Sequence, residues 1–373
     1  MKENLSLLSP LDFIPADIHC AADYESLAAR FIPAPGLEYI AGGSGQDKTL
    51  AANRRAFDQW FICPRLLPDL GDAHTRLGLL GREFAHPIFL APVAYQKLAH
   101  PAGEIETARA ASVMQSCMIL STLASQSLEE IAAIGTEEKW FQLYFQPNIE
   151  ATLDLIRRAE AANYRALVVT LDATIRTPSL GALRSQFQMP ADCVAVNLQD
   201  YEINSPRVLA AGESRIFKGI MQDAPTWADL QWLINQTHLP VIVKGVLHPD
   251  DALRIKKLGA AAVVVSNHGG RSFDGAMASL NCLAAIRAIL GDEYPVLFDG
   301  GIRSGLDIFK AIALGADAVL IGRLQVYALS VAGALGVAHM LKLLREELEL
   351  CMAQAGCANL QAIRNCRVEK VSI

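Results

Sequence analysis

The chain has eight cysteines but no C-x-x-C pair and no cysteine–histidine cluster at metal-ligand spacing. Zinc-ribbon and dithiol chemistry are therefore excluded as its organising feature, and no metal site is expected. It also lacks a basic run: 33 Lys and Arg are interspersed with 39 Asp and Glu, for a formal net charge of −6. Nucleic acid is not an expected partner of such a surface. No secretory leader is expected either, because Met1 to Asp17 holds Lys2 and Glu3 but no continuous apolar core. A reduced cytoplasmic protein is the economical reading. One stretch, Leu324 to Leu341, lacks any formally charged residue and reaches the lower length limit of a membrane-spanning helix. It contains Gln325, Ser330 and His339 and directly follows a glycine-rich strand end, so a buried helix is expected and a membrane is not.

What is present is apolar alternation. With 52% hydrophobic residues the chain can bury a large core, which argues against disorder. Residues 20–60 read as helical, with pieces over Asp23–Arg30, Gly36–Ala41 and Lys48–Phe57. From residue 87 onward, short strands alternate with helices. Strands are expected at Pro87–Pro92, Cys117–Thr122, Trp140–Phe145, Ala166–Asp172, Pro240–Lys244, Ala261–Val265, Val296–Asp299 and Ala318–Ile321. Helices are expected at Gly103–Met114, Ser127–Ile134, Ile149–Ala162, Thr226–Gln236, Pro249–Leu258, Leu280–Leu290 and Leu306–Leu314. Ser127 and Glu130 form a capping-box pattern at the second of these. Residues 173–225 break the rhythm as a long polar insertion after the fourth strand, a length that is uncommon unless the loop is functional. The pattern is that of a parallel (β/α)8 TIM barrel, read as a single domain over 1–373 with an N-terminal helical elaboration over 1–86. A doubly wound open sheet is the structural alternative, but no glycine fingerprint follows the first strand.

In such a barrel the C-terminal strand ends converge on one face. The residues expected there are Ala94, Ser121, Thr122, Gln142, Tyr144, Thr170, Asp172, Lys244, His268, Arg271, Asp299, Gly301, Gly322 and Arg323. Most are polar although the strands that carry them are strongly apolar, and that coincidence points to a site. Ser266-Asn267-His268-Gly269-Gly270-Arg271 is its centre. Histidine can take a proton near neutral pH, arginine can hold a carboxylate with two parallel hydrogen bonds, and glycine lets backbone approach a ligand. Asp299-Gly300-Gly301-Ile302-Arg303-Ser304-Gly305 and Gly322-Arg323 are glycine-rich turns after strands seven and eight, where barrels bind phosphate through backbone N–H groups. A phosphorylated substrate and a phosphorylated cofactor both satisfy that pattern.

These motifs, with Ala91-Pro92-Val93-Ala94-Tyr95-Gln96-Lys97, Phe141-Gln142-Leu143-Tyr144, Val243-Lys244-Gly245-Val246 and Ile321-Gly322-Arg323, closely resemble the FMN-dependent L-2-hydroxy acid oxidases and dehydrogenases, the glycolate, lactate and mandelate or hydroxymandelate oxidase type. The resemblance covers roughly residues 20 to 350. It implies FMN in the barrel mouth, with its phosphate on Gly301, Arg303, Gly322 and Arg323. Its ring would meet Ala94, Ser121, Gln142 and Thr170, with Lys244, Ser266 and Asp299 completing the cofactor set. It further implies His268 as base, Asp172 to orient it, Arg271 to bind the substrate carboxylate, and Tyr39 and Tyr144 to hydrogen-bond the substrate. Dioxygen or another acceptor would take the electrons, and a homo-oligomer, a tetramer in the family, is implied.

Two positions depart from the family pattern. The second substrate-binding arginine, seven residues after the aspartate, is Ser179 here, and Arg176 or Arg184 is expected to compensate from the same loop. One lost charge-assisted contact is worth about 1.5–3 kcal/mol. The glycolate-oxidase tryptophan is replaced by Leu123, which opens room for a bulky or aryl-substituted hydroxy acid. Two other readings stay open on the same scaffold: oxidation of an amine or another C–H in a modified peptide or secondary metabolite, and a flavin-binding assembly component without turnover.

Overall fold

The structure is a computed structural model and describes residues 7–135, 138–202 and 208–371. Eight parallel strands close into a barrel: β1 (Ile88–Leu90), β2 (Met118–Ser121), β3 (Lys139–Leu143), β4 (Leu167–Thr170), β5 (Val241–Val246), β6 (Ala262–Val265), β7 (Val296–Asp299) and β8 (Ala318–Ile321). Each strand pairs with its sequence neighbour, and β8 closes on β1 with Val319 opposite Ile88 and Ile321 opposite Leu90. Both faces of these strands are covered, so they read as unbroken apolar runs rather than as alternating ones.

Helices α1 (Glu104–Met114), α2 (Leu128–Ala132), α3 (Ile149–Ala161), α4 (Trp227–Asn235), α5 (Pro249–Lys257), α6 (Ser279–Leu290), α7 (Gly305–Ala313) and α8 (Arg323–Ala355) alternate with the strands. The expected capping box at Ser127 forms, with Glu130 as its reciprocal partner. A second one, Thr226 with Asp229, starts α4. By length and composition α8 could cross a membrane, but 78% of its most apolar window is buried inside the protein. It packs on α1, α7 and the helix Asp23–Leu27. Its backbone breaks at Ala332 and Gly333, where Gly333 has φ 53°, and Glu106 accepts from the Ala334 N–H at 3.0 Å to restart the helix.

The segment before the barrel is helical only as far as Asp58. Beyond it, Trp60–Ile62 pairs antiparallel with Val368–Lys370 near the C-terminus. Leu77–Leu79 and Arg82–Phe84 form a hairpin whose turn residues, Leu80 and Gly81, both have positive φ. That hairpin drives Phe84 against Phe89 and Trp140, with ring centroids 4.7 and 6.3 Å away. Fully burying such a side chain is worth about 1.5–3 kcal/mol. The helices Ala34–Ala41 and Lys48–Asp58 lie over the opposite, C-terminal mouth, where Ser44 N–H donates to Gly270 O at 2.8 Å.

The insertion at 173–225 is anchored on the barrel chiefly at Cys193 and Asn197, its buried residues among those described, while most of its other residues are exposed. It holds a short helix, Leu180–Arg184, and a buried Asn197 that accepts from Leu128 N–H and donates to Gln126 O. Residues 203–207 of the insertion lie outside the described residues.

At Gly305 α7 packs directly on α8: its N–H donates to Glu347 at 2.7 Å and its missing Cβ would collide with the backbone at Glu347 and Leu348. Gly305→Ala is therefore expected to lower stability by about 1–3 kcal/mol in urea denaturation. An unchanged midpoint would show that the two helices separate freely.

Candidate active site

The strand ends surround one cavity of about 350 Å³, within the ~300–1,000 Å³ usual for small-molecule sites. Of the residues singled out in the sequence, Tyr39, Ala94, Ser121, Tyr144, Thr170, Arg176, Lys244, His268, Arg271, Asp299, Gly301, Arg303, Gly322 and Arg323 line it. Gln142, Asp172 and Ser266 stand just behind. Gln142 Oε1 accepts from Ser121 Oγ at 3.2 Å, and Ser266 Oγ accepts from Lys244 Nζ at 2.9 Å and from His268 N–H at 3.0 Å.

Lys244 comes from β5 and is buried beside Asp299 from β7, Nζ to Oδ2 3.0 Å. Burial alone would pull the ammonium's pKa down, but Asp299 and Asp172 outweigh it and the net shift is upward. Lys244 is thus a fixed cation inside the barrel mouth. The next residue, Gly245, has φ 105°, and a side chain there would strike Asp172, so only glycine leaves that carboxylate its place.

Asp172 lies just beyond β4 and reaches His268, Oδ1 to Nδ1 2.8 Å. Burial pushes the imidazole pKa below its ordinary value, against the pull of Asp172. Burial would raise the pKa of Asp172, but His268 and Lys244 outweigh it and hold the carboxylate ionised. An ionised carboxylate only accepts, so Nδ1 carries the hydrogen and Nε2 presents a lone pair. His268 sits in the left-handed region at φ 58°, a backbone cost of about 1–2 kcal/mol for a residue with a Cβ. The Asn267 side chain, accepting from Gly270 N–H at 3.0 Å, closes that turn.

Arg271 donates through one terminal nitrogen, Nη1, to the carbonyls of Tyr39, Ile40 and Gly42, and its guanidinium lies 5.2 Å from the Tyr39 ring centroid. Tyr39 in turn stacks on Phe187 of the insertion at 4.5 Å. Arg323 spends all three nitrogens on the carbonyls of Ile40, Gly269 and Gly42. Arg303 is ion-paired with Glu25 at 2.6 Å. Both arginines expected at a phosphate therefore also hold N-terminal segments in place. Gly322, at the start of α8, has nothing within 4 Å of where a Cβ would stand, so backbone is open to a ligand there.

Of the two arginines considered as compensation for Ser179, Arg176 reaches the cavity wall and Arg184 does not. Ser179 caps the helix Leu180–Arg184 through Ala182 N–H, and its hydroxyl lies against Gly42. Sequence reasoning did not single out Tyr95 and Met189, which also line the cavity. Tyr95 is held at φ 56°, a conformation that no local pattern announces, and Met189 comes from the insertion.

Several buried polar atoms at the strand ends have no partner among the described residues: Gln142 Nε2, Thr170 Oγ1, Asp299 Oδ1 and Asp172 Oδ2. Buried polar groups are rarely left so, and a cluster of donors and acceptors at one mouth fits a bound polar ring system.

A family model described as FMN-dependent dehydrogenase matches residues 28–370. An L-lactate oxidase of Alicycliphilus denitrificans is 60% identical over 95% of this chain and 98% of its own length. A 4-hydroxymandelate oxidase of Amycolatopsis orientalis is 43% identical over 92% of this chain and 96% of its own. Among solved structures, mandelate oxidase with (S)-2-phenylpropionate superimposes with a TM-score of 0.87 at 40% identity, covering 95% of this chain and 100% of that one.

Thr170→Val removes a hydroxyl that has no hydrogen-bond partner among the described residues. The FMN-free variant is expected to unfold at the wild-type denaturant concentration or above it. Titration with FMN, followed by flavin fluorescence, should give a Kd raised about 3- to 10-fold, as for one lost hydrogen bond. An unchanged Kd would remove Thr170 from the flavin site.

Proposed function

The chain belongs to the FMN-dependent dehydrogenase family and is an FMN enzyme of the 2-hydroxy acid oxidase class; from that premise we propose that it oxidises an L-2-hydroxy acid with an apolar side chain to the 2-keto acid, dioxygen taking the electrons. The residues present fit the cofactor. Gln142 Nε2 and Thr170 Oγ1 are unpartnered at the mouth, Lys244 supplies a positive charge, and Gly322 leaves backbone bare at the N-terminal end of α8. Ala94, Ser121, Gly301, Arg303 and Arg323 would complete its binding site, with Ser266 and Asp299 holding Lys244. When bound, FMN supplies the two-electron acceptor for the substrate's carbon-bound hydrogen.

The protein's own part is to bind the acid and manage its proton. Arg271 would offer the carboxylate its guanidinium, and Tyr39 and Tyr144, which line the same cavity, would offer hydroxyls. His268 takes a proton on Nε2, and Asp172 stabilises the imidazolium that results through the Nδ1 hydrogen bond. The observation that carries this reading is the His268–Asp172 contact of 2.8 Å on the wall of the cavity that also receives Arg271.

The remaining wall supports an apolar substituent. Val93, Tyr95, Leu123 and Met189 line it, and Leu and Met side chains can adapt to different bulk. The acids in the names of two relatives, lactate and mandelate, carry a methyl group and a phenyl ring, and an apolar wall suits either. Leu123 supports the bulky end of this range.

Anaerobic mixing of the FMN-loaded protein with a substrate panel tests the proposal. L-lactate and (S)-mandelate are expected to bleach the flavin faster than glycolate, and D-lactate not at all. Bleaching by amines alone would transfer the activity to C–N oxidation, and no bleaching by any hydroxy acid would contradict the reading outright.

A further inference from the structure

The helix Lys48–Asp58 is not part of the barrel, yet its buried Asn53 reaches the loop that carries His268. The side-chain amides of Asn53 and Asn267 pair reciprocally. Asn53 Nδ2 donates to Asn267 Oδ1 at 2.9 Å, and Asn267 Nδ2 donates to Asn53 Oδ1 at 2.7 Å. Asn267 Nδ2 also donates to Met277 O at 3.0 Å, and Asn267 Oδ1 also accepts from Gly270 N–H at 3.0 Å. Both donors and both lone pairs of the Asn267 amide are thereby used. Asn53 Oδ1 further accepts from the N–H of Ser279, at the start of α6, at 3.3 Å.

The turn held in this way is an uncomfortable one. His268, Gly269 and Gly270 follow one another at φ 58°, 61° and 78°. Two glycines adopt that conformation freely, but His268 does not, and it persists only where its surroundings fix it. Ser266 accepts from His268 N–H and Arg323 donates to Gly269 O, while Asn267 spans the turn to Gly270 N–H, and Asn53 fixes the orientation of the Asn267 amide. The neighbouring Arg54 bonds the other loop, at the Gly301 carbonyl and at Asp307, 2.7 Å away; Asn53 only packs against that loop, through its backbone and Cβ at Gly301, and spends its amide on Asn267 and Ser279.

We propose that Asn53 is a positioning residue for His268, acting through Asn267 to keep the left-handed turn that aims the imidazole into the cavity. The proposal rests on the reading of His268 as the base. Asn53 does not itself line the cavity, and an alanine there keeps the backbone and Cβ that pack against Gly301, so removing the amide should slow the chemistry without releasing cofactor or weakening carboxylate binding.

In Asn53→Ala the rate of anaerobic flavin reduction by L-lactate is expected to fall about 10- to 100-fold, as for a displaced reacting group. FMN content and the Kd for an inert carboxylate such as acetate should stay within about threefold of wild type, a bound well inside that loss. Asn53→Asp keeps the size and the acceptor for Asn267 and Ser279 while deleting the donor. It should fall between the two, and it decides the matter if the alanine variant does not fold. A reduction rate within about twofold of wild type overturns the proposal, as does a loss that merely follows lost FMN or a lowered melting temperature. The imidazole resonances of His268 in 15N-histidine-labelled protein give a readout independent of the reaction. They should shift in both variants with and without FMN; if they stay in place, the positioning role is wrong even where the hydroxy acid reading stands. If they shift but no hydroxy acid reduces even the wild type, the reading of His268 as base fails and the positioning role stands.

Discussion

Charges buried at the barrel mouth can remain charged only because each faces an opposite or acceptor group. Lys244 is held by Asp299, Asp172 by His268 and by the field of Lys244, and the Arg271 guanidinium by three backbone carbonyls. Removing one member would leave another as an unpaired buried charge, which costs several kcal/mol. The arrangement also biases protonation, toward a cation at Lys244, an anion at Asp172 and, through burial, a neutral imidazole whose Nδ1 bonds Asp172 and whose Nε2 is open. That open nitrogen is what the chemistry of the site needs.

The barrel supplies this arrangement by register. Thr170 of β4 lies opposite Lys244 of β5, and Lys244 opposite Val264 of β6, so successive strand ends present their side chains at one height. The β-bulge at Lys244–Val246 then turns Gly245 toward Asp172, where no Cβ can stand. Elements outside the barrel complete the mouth. The C-terminal end of the helix Ala34–Ala41 presents carbonyls to Arg271 and Arg323, cations placed where a helix end carries partial negative charge.

Much of this was legible in the sequence, for a physical reason. Parallel strands buried on both faces must be apolar throughout, so polar residues at their ends stand out, and the eight strands fall within one or two residues of where the apolar runs place them. What could not be read is what depends on distant pairing or on backbone sign. The strand Trp60–Ile62 has its partner some 300 residues away, and the Leu77–Phe84 hairpin consists of three-residue strands too short to show a period. Tyr95 lies inside a motif that was noticed, but its left-handed backbone and its place in the cavity are set by tertiary contacts. Arg303 and Arg323 carry the right charge for a phosphate, yet their bonds to Glu25 and to three carbonyls depend on how the N-terminal segments fold back.

The whole account turns on an imidazole acting as the base against a bound flavin, and a single-turnover comparison of His268→Gln with wild type tests that most directly. The variant should keep bound FMN and its absorption spectrum while flavin reduction by L-lactate slows about 10²- to 10⁴-fold, the usual contribution of a positioned base. Reduction within a few-fold of wild type would contradict the account, because the proton would then leave by a route that does not involve this residue.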